Sequence, residues 1–204
     1  MRLRPHIAWK YLLQIARACR GATFNRAHQV IVEMERQFPR VWTLTQNVDG
    51  LHRAAGTRNL IEIHGDLHEL RCTECDFYHD HVASYDELDL PPRCPRCHSV
   101  ARPHVVLFGE MLPVSKLQKL FEELHRSFDV VFTIGTSSVF PYIAEPIQRA
   151  KAEGWATVEI NPGISAVSHL VDVRLAMRAA PAMDAIWQRY LERVANGEGE
   201  RKKG

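Results

Sequence analysis

Apolar positions recur along this chain in two rhythms, one helical and one of short strands. At the start Ile7, Tyr11, Ile15 and Ala18 return at helical spacing, with Pro5 near the first turn and Gly21 past the end, which predicts a surface helix. A second helix over residues 25–38 carries Ala27, Val30, Ile31 and Met34 on one face, and Pro39 stops it. Residues 41–45 and 59–63 then read as buried strands. Past residue 104 the alternation resumes. Strands are predicted over 104–108, 129–134, 155–160 and 171–175, and helices over 115–127, 141–153 and 181–194. In the first of these helices Leu117, Leu120, Phe121 and Leu124 point inward. The tail from residue 196 to 204 predicts disorder. Strands alternating with helices predict an α/β fold, a Rossmann-like, doubly wound parallel sheet with ligands at the carboxyl ends of its strands.

The stretch 66–104 breaks this rhythm, being rich in Cys, His, Asp and Pro. It predicts a small inserted module, held by its ligands rather than by a core, between two parts (1–65 and 105–195) of one Rossmann-like domain. Cys72, Cys75, Cys94 and Cys97 form two CxxC pairs with 18 residues between them, while Cys19 stands apart. Four thiolates complete a tetrahedral zinc shell and leave no open position, so the expected metal is one structural zinc. A secreted disulfide scaffold would carry more cysteines per residue. The pairs therefore predict a reducing, cytoplasmic setting.

Charge narrows the partners. Lys plus Arg number 26 against 24 for Asp plus Glu, a net +2, which gives no electrostatic case for nucleic acid or a membrane surface. The insert itself is richer in acidic than in basic residues, which disfavours a nucleic-acid-binding zinc ribbon. No apolar run approaches the roughly 20 residues of a membrane span. The first acidic residue is Glu33, after six Lys and Arg, a charge pattern compatible with a mitochondrial presequence; the stretch lacks the Ser enrichment of one and reads better as the predicted helix.

Polar groups gather at predicted strand ends. Gln46, Asn47 and Asp49 lie in Thr45-Gln46-Asn47-Val48-Asp49-Gly50-Leu51-His52, where Asn-x-Asp-Gly also reads as an Asx turn. Glu62-Ile63-His64-Gly65 places a histidine, the side chain suited to proton transfer near neutral pH, although a lone His after a strand is often structural. Gly135-Thr136-Ser137-Ser138 offers small residues at a strand–helix turn, and Asn161 ends a further strand.

Taken together, TQNVDGLH, IHGDLHELRC, the two CxxC pairs, RPHVVLFGEMLP, GTSSVFPYIAEPI and EINP occur in an order and spacing that resemble the sirtuins, the NAD-dependent protein-lysine deacylases, over about residues 25–190. The resemblance implies that an acyl oxygen attacks ribose C1′ of NAD with loss of nicotinamide. A histidine base then helps the 2′-hydroxyl attack the resulting imidate, giving free lysine and O-acyl-ADP-ribose. By this resemblance His64 is the base. Asn47 and Asp49 line the nicotinamide pocket and Gln46 contacts the neighbouring ribose. Gly135, Thr136 and Ser137 face the phosphate and ribose region, and Asn161 the adenosine ribose. Val106, Phe108 and Gly109 belong to a segment that binds the acyl-lysine peptide as an added strand, with the Val106 carbonyl taking the Nε–H and Phe108 walling the acyl tunnel.

The sequence also departs from the resemblance. Sirtuins open with a strand, a GAGxS loop and an SGIPDFR-like segment, whereas no GxG precedes Thr45 here. The expectation is an N-terminally truncated form of an ordinary deacylase, with an incomplete sheet open to pairing with another chain, itself included. The alternatives are a non-catalytic remnant that binds zinc or a protein partner but holds NAD poorly, and a chain completed by a separate polypeptide. The RPHVVLFGE form resembles a branch in which a Tyr-x-x-Arg pair before TQN recognises acidic acyl groups. Tyr11 is followed by Leu12, Leu13 and Gln14, with Arg17 further on, so deacetylation is expected.

Overall fold

The computed structural model describes residues 5–82, 84–86 and 88–197, so most of the expected disordered tail lies outside the described residues. Two helices lead the chain, α1 (Pro5–Cys19) and α2 (Arg26–Gln37). Asn25 caps α2: its side chain accepts from the Ala27 amide at 2.9 Å, and His28 Nδ1 answers by accepting from the Asn25 amide at 3.2 Å.

The helical face predicted for α1 is not the one that packs. Ile7, Tyr11 and Ile15 are exposed, whereas Trp9 and Leu12 are buried and Leu13, Ala16 and Cys19 pack beside them. Both sets repeat at helical spacing, so periodicity alone could not choose between them. The choice is made by what lies opposite: Trp9 Nε1 donates to the Ala101 carbonyl at 3.0 Å, and its ring meets Tyr85 edge-on at 5.3 Å.

The parallel framework runs through β1 (Thr43–Thr45), β2 (Leu60–Glu62), β6 (Val130–Ile134), β7 (Ala156–Ile160) and β8 (Val173–Leu175). These strands form two ladders, β1 with β2, and β6 with β7 and β8, all parallel. Among the described residues no strand pairs with the second edge of β1 or of β6. Helices cover both faces, as a doubly wound sheet requires. On one side α2 and α6 (Ala179–Ala195) pack on Phe132, Ile134, Val158 and Ile160. On the other, α4 (Val114–His125) and α5 (Pro141–Glu153) cover Ile61, Ile63 and Leu44. Phe121, expected inward on α4, is 38% exposed, and Glu123 takes the buried position instead, tied to Arg40 and Lys119.

A separate antiparallel sheet has the order β4 (Tyr78–His79), β3 (Gly65–Cys72), β5 (Ala101–Val105). Two expectations change here. The strand expected over 104–108 is shifted to 101–105, and it pairs antiparallel with β3 rather than joining the parallel framework. The inserted region also has an apolar core, made of Leu67, Leu70, Tyr85, Ala101 and Val105 with Trp9 and Leu12 of α1. Trp9, Leu12 and Val105 of that core come from outside residues 66–104, which is why the insert read alone appeared to lack one. No described helix is long and apolar enough to cross a membrane.

Truncating Trp9 to Ala is expected to cost about 3–5 kcal/mol in urea unfolding, and Tyr11→Ala, on the exposed face, less than about 0.5 kcal/mol. The reverse order would mean that α1 packs by the face its sequence first suggests.

Candidate active site and metal centre

The carboxyl ends of β1, β2, β6 and β7 converge, and each brings one polar side chain. Gln46 follows β1, His64 follows β2, Thr136 follows β6 and Asn161 follows β7. They touch. The Gln46 amide Nε2 donates to Thr136 Oγ1 at 2.8 Å, the Gln46 carbonyl stands 3.0 Å from His64 Nδ1, and Asn161 Nδ2 donates to the Thr136 carbonyl at 2.9 Å. Gly135, with φ 61°, turns the chain out of β6, and its amide donates to the Ile160 carbonyl at 2.9 Å. Ser137 lies exposed on this turn, and its carbonyl accepts from the Ala166 amide at 2.9 Å.

His64 is half-buried. Burial pushes its pKa below the usual histidine value, the positive field of Lys116 acts the same way, and the Gln46 carbonyl opposes them. Its Nε2 stands 2.7 Å from the Tyr142 hydroxyl, and the rings of Phe140 and Tyr142 meet it edge-on at 6.0 and 5.8 Å.

Asn47 is exposed, with its amide donating to Thr45 Oγ1 at 3.1 Å. Asp49 Oδ1 accepts from the Leu51 amide at 3.1 Å, which is the Asx turn the sequence allowed, and it leads into α3 (Leu51–Ala55). Asp49 and Gly50 also line a cavity of about 480 Å³ closed by Leu13 and Ala16 of α1 and by His68. Arg17 and Arg20 line this cavity too, both paired with Asp86, which lines it as well, and Tyr11 is 61% exposed.

Gly65 joins this site to the antiparallel sheet. Its φ is 86°, and a Cβ placed there would lie 1.9 Å from the His104 carbonyl oxygen, so only glycine fits. The Val106 amide then donates to the His64 carbonyl at 2.8 Å. Beyond Val106 the chain loops outward, leaving Phe108 99% exposed and Gly109 at φ 83°. Arg102 holds the loop's far end through both oxygens of Glu110, and that contact draws the Glu110 pKa down to about 2.

The four cysteines are brought together. Cys72 and Cys97 sulfurs lie 3.4 Å apart, Cys75 and Cys94 sulfurs 3.6 Å, and all four lie within 4.8 Å of one another. These separations are too long for disulfides and match the edge of a sulfur tetrahedron around zinc, about 3.8 Å for Zn–S bonds near 2.3 Å. The Glu74 amide donates to Cys72 Sγ at 3.3 Å and the Arg96 amide to Cys94 Sγ at 3.4 Å, so each pair turns its backbone toward the sulfurs. The donor set therefore fits a closed structural zinc.

A family model described as the Sir2 family matches residues 3–141. The chain belongs to the Sir2 family. It is 43% identical over 188 residues to NAD-dependent protein deacylase 2 of Pseudomonas aeruginosa, covering 91% of this chain and 73% of that protein. Among solved structures it is similar to a Sir2 homologue in complex with NAD, with a TM-score of 0.85 and 36% identity over 92% of this chain and 73% of that one. It is equally similar to a Sir2-homologue mutant in complex with 2′-O-acetyl ADP ribose, with a TM-score of 0.84 and 36% identity over 92% and 75% of the two chains.

Two residues of this Sir2-family chain were not singled out from the sequence. Tyr142 sits beside His64 but falls in the apolar-looking start of a helix, where only its hydroxyl marked it out. Arg53 pairs with Glu62 and Glu69 and stands 3.7 Å from Asp66, pinning α3 to β2 and β3. Nothing in the sequence paired Arg53 with these carboxylates.

Gly65→Ala is expected to lose more than about 2 kcal/mol of stability in urea. Metal analysis of the zinc-grown protein is expected to give one zinc per chain, falling to background in Cys94→Ser, with faster amide exchange along β3 and β5. A full zinc content in that variant would move the metal elsewhere.

Proposed function

We propose that this chain is an NAD-dependent protein-lysine deacylase that takes its general base from His64. The observation that carries the reading is the fixed orientation of that imidazole. A carbonyl oxygen only accepts, so the Gln46 carbonyl holds the proton on Nδ1 and leaves Nε2 as the basic atom at the convergence of four strand ends.

The residues at these ends fit NAD by their chemistry: exposed small residues at the turn after β6, amides at Gln46, Asn47 and Asn161, and a half-buried base. In this reading Asn47 and Asp49 line the nicotinamide side and Gln46 contacts the adjoining ribose. Gly135, Thr136 and Ser137 face the phosphate and ribose, and Asn161 holds the adenosine ribose. When bound, NAD supplies a nicotinamide leaving group and the sugar hydroxyl that receives the acyl group. His64 takes up the proton of that hydroxyl. The related structure solved with 2′-O-acetyl ADP ribose supports the 2′ position as the acceptor.

The acyl-lysine peptide lies along residues 106–109 as an added strand, accepted by the Val106 carbonyl. Phe108, fully exposed without it, closes over the acyl-lysine chain. The zinc holds the antiparallel sheet and takes no part in the chemistry. Acetyl rather than acidic acyl groups are the substrates, because Arg17 and Arg20 are both engaged by Asp86.

Calorimetry with NAD and a nicotinamide-release assay on an acetyl-lysine peptide test the reading, and a folded, zinc-loaded chain that does neither would sink it. His64→Ala is expected to lower deacylation by about 10²–10⁴-fold with an unchanged circular dichroism spectrum. The base must be neutral to act, and its pKa lies below the usual value of about 6.5. Activity is therefore expected to fall as pH drops through a midpoint below 6.5, and an acid limb centred above about 7 would contradict the assignment. The groups facing the ring in this titration are Lys116 from α4, Tyr142 from α5 and the Gln46 carbonyl.

A further inference from the structure

The lone pair of His64 is already engaged. With the Nδ1 proton on the Gln46 carbonyl at 3.0 Å, neutral Nε2 can only accept, and the atom it faces at 2.7 Å is the Tyr142 hydroxyl oxygen. Tyr142 is therefore the donor, and a substrate hydroxyl cannot occupy the same lone pair while that bond holds. The tyrosine oxygen keeps two lone pairs of its own, so it can accept from a third group while it donates.

Its position is held by packing. Tyr142 is the second residue of α5, after Pro141, and its ring stacks on Phe140 with centroids 5.5 Å apart and planes 13° from parallel. Both rings meet the imidazole edge-on, which keeps the hydroxyl in line with Nε2. Burial raises the Tyr142 pKa and lowers that of His64, so both partners are neutral near pH 7.

Resting on the assignment of His64 as base, we propose that Tyr142 is a catalytic residue that relays the proton between the sugar hydroxyl and His64. The hydroxyl of the bound sugar donates to Tyr142 Oη. As that O–H bond breaks, its proton goes to Oη while the tyrosine's own proton passes to Nε2. One proton has moved in net: the sugar oxygen is left with the electron pair that attacks the acyl carbon, His64 becomes an imidazolium with both nitrogens protonated, and Tyr142 ends neutral as it began. The Nδ1 proton stays on the Gln46 carbonyl throughout, and the return transfer runs through the same pair.

Tyr142→Phe removes the hydroxyl and keeps the stacked ring. In the zinc-loaded protein labelled with 15N-histidine, without NAD, the variant is expected to move the His64 Nε2 resonance and leave Nδ1 in place, the signals being assigned by their loss in His64→Ala. With an acetyl-lysine peptide, kcat for deacylation is expected to fall about 10- to 100-fold at nearly constant KM. Nicotinamide exchange is expected to persist, because nicotinamide leaves before the sugar hydroxyl attacks. An Nε2 resonance unchanged in Tyr142→Phe overturns the relay. So does wild-type kcat in Tyr142→Phe beside an inactive His64→Ala, and that result leaves the deacylase reading intact. A wild-type chain that releases no nicotinamide from the peptide and NAD overturns the deacylase reading, and the relay with it.

Discussion

At Gly65 the backbone passes from a parallel ladder into an antiparallel one through a gap with no room for a side chain, the His104 carbonyl filling the place a Cβ would take. That close approach sets the geometry around it. It brings the Val106 amide onto the His64 carbonyl, so the imidazole and the 106–110 loop hang from one joint. It also starts β3, which runs eight residues from Gly65 to Cys72, roughly 23 Å at the rise of an extended strand. The cysteine cluster sits at the far end of that strand. Its metal can stiffen the β3–β5 pair and through it the joint, without approaching the chemistry.

A second constraint is electrostatic. Arg53 engages Glu62 at the end of β2 and Glu69 in the middle of β3, while Lys116 of α4 donates to the Glu62 carbonyl. Burial pushes the Glu62 pKa up, and the Arg53 guanidinium opposes the rise. Removing one member of such a half-buried set leaves its partners short of countercharge, so the residues flanking His64 are tied as a group.

Much of this architecture was legible in the sequence because local rules and tertiary packing agree over most elements. The helix over 141–153 and the strands over 129–134 and 155–160 emerge within a residue or so of prediction. The cysteine spacing foretold a cluster the fold does assemble. What escaped was whatever depends on a partner distant in sequence. The packed face of α1 is decided by Ala101 and Tyr85, ninety-two and seventy-six positions from Trp9. The strand near residue 104 slid because its partner is β3 rather than a neighbouring βα unit. Candidate site residues at strand ends were found by their place in the α/β rhythm, and the fold does draw Gln46, His64, Thr136 and Asn161 together. Tyr142 had no such rhythm to mark it, since its significance is one hydroxyl's distance from a ring 78 residues away.

Gln46 holds two things at once. Its backbone carbonyl fixes the proton position on His64, and its side-chain amide is the bond that spans from the β1–β2 ladder to the turn after β6. The turn residue it grips, Thr136, is in turn gripped by Asn161 after β7. Displacement of the β6 turn therefore pulls on the same residue that sets which face of the imidazole is basic. The set of the turn after β6 and the tautomer of His64 are not independent in this molecule, because one residue, Gln46, is bonded to both.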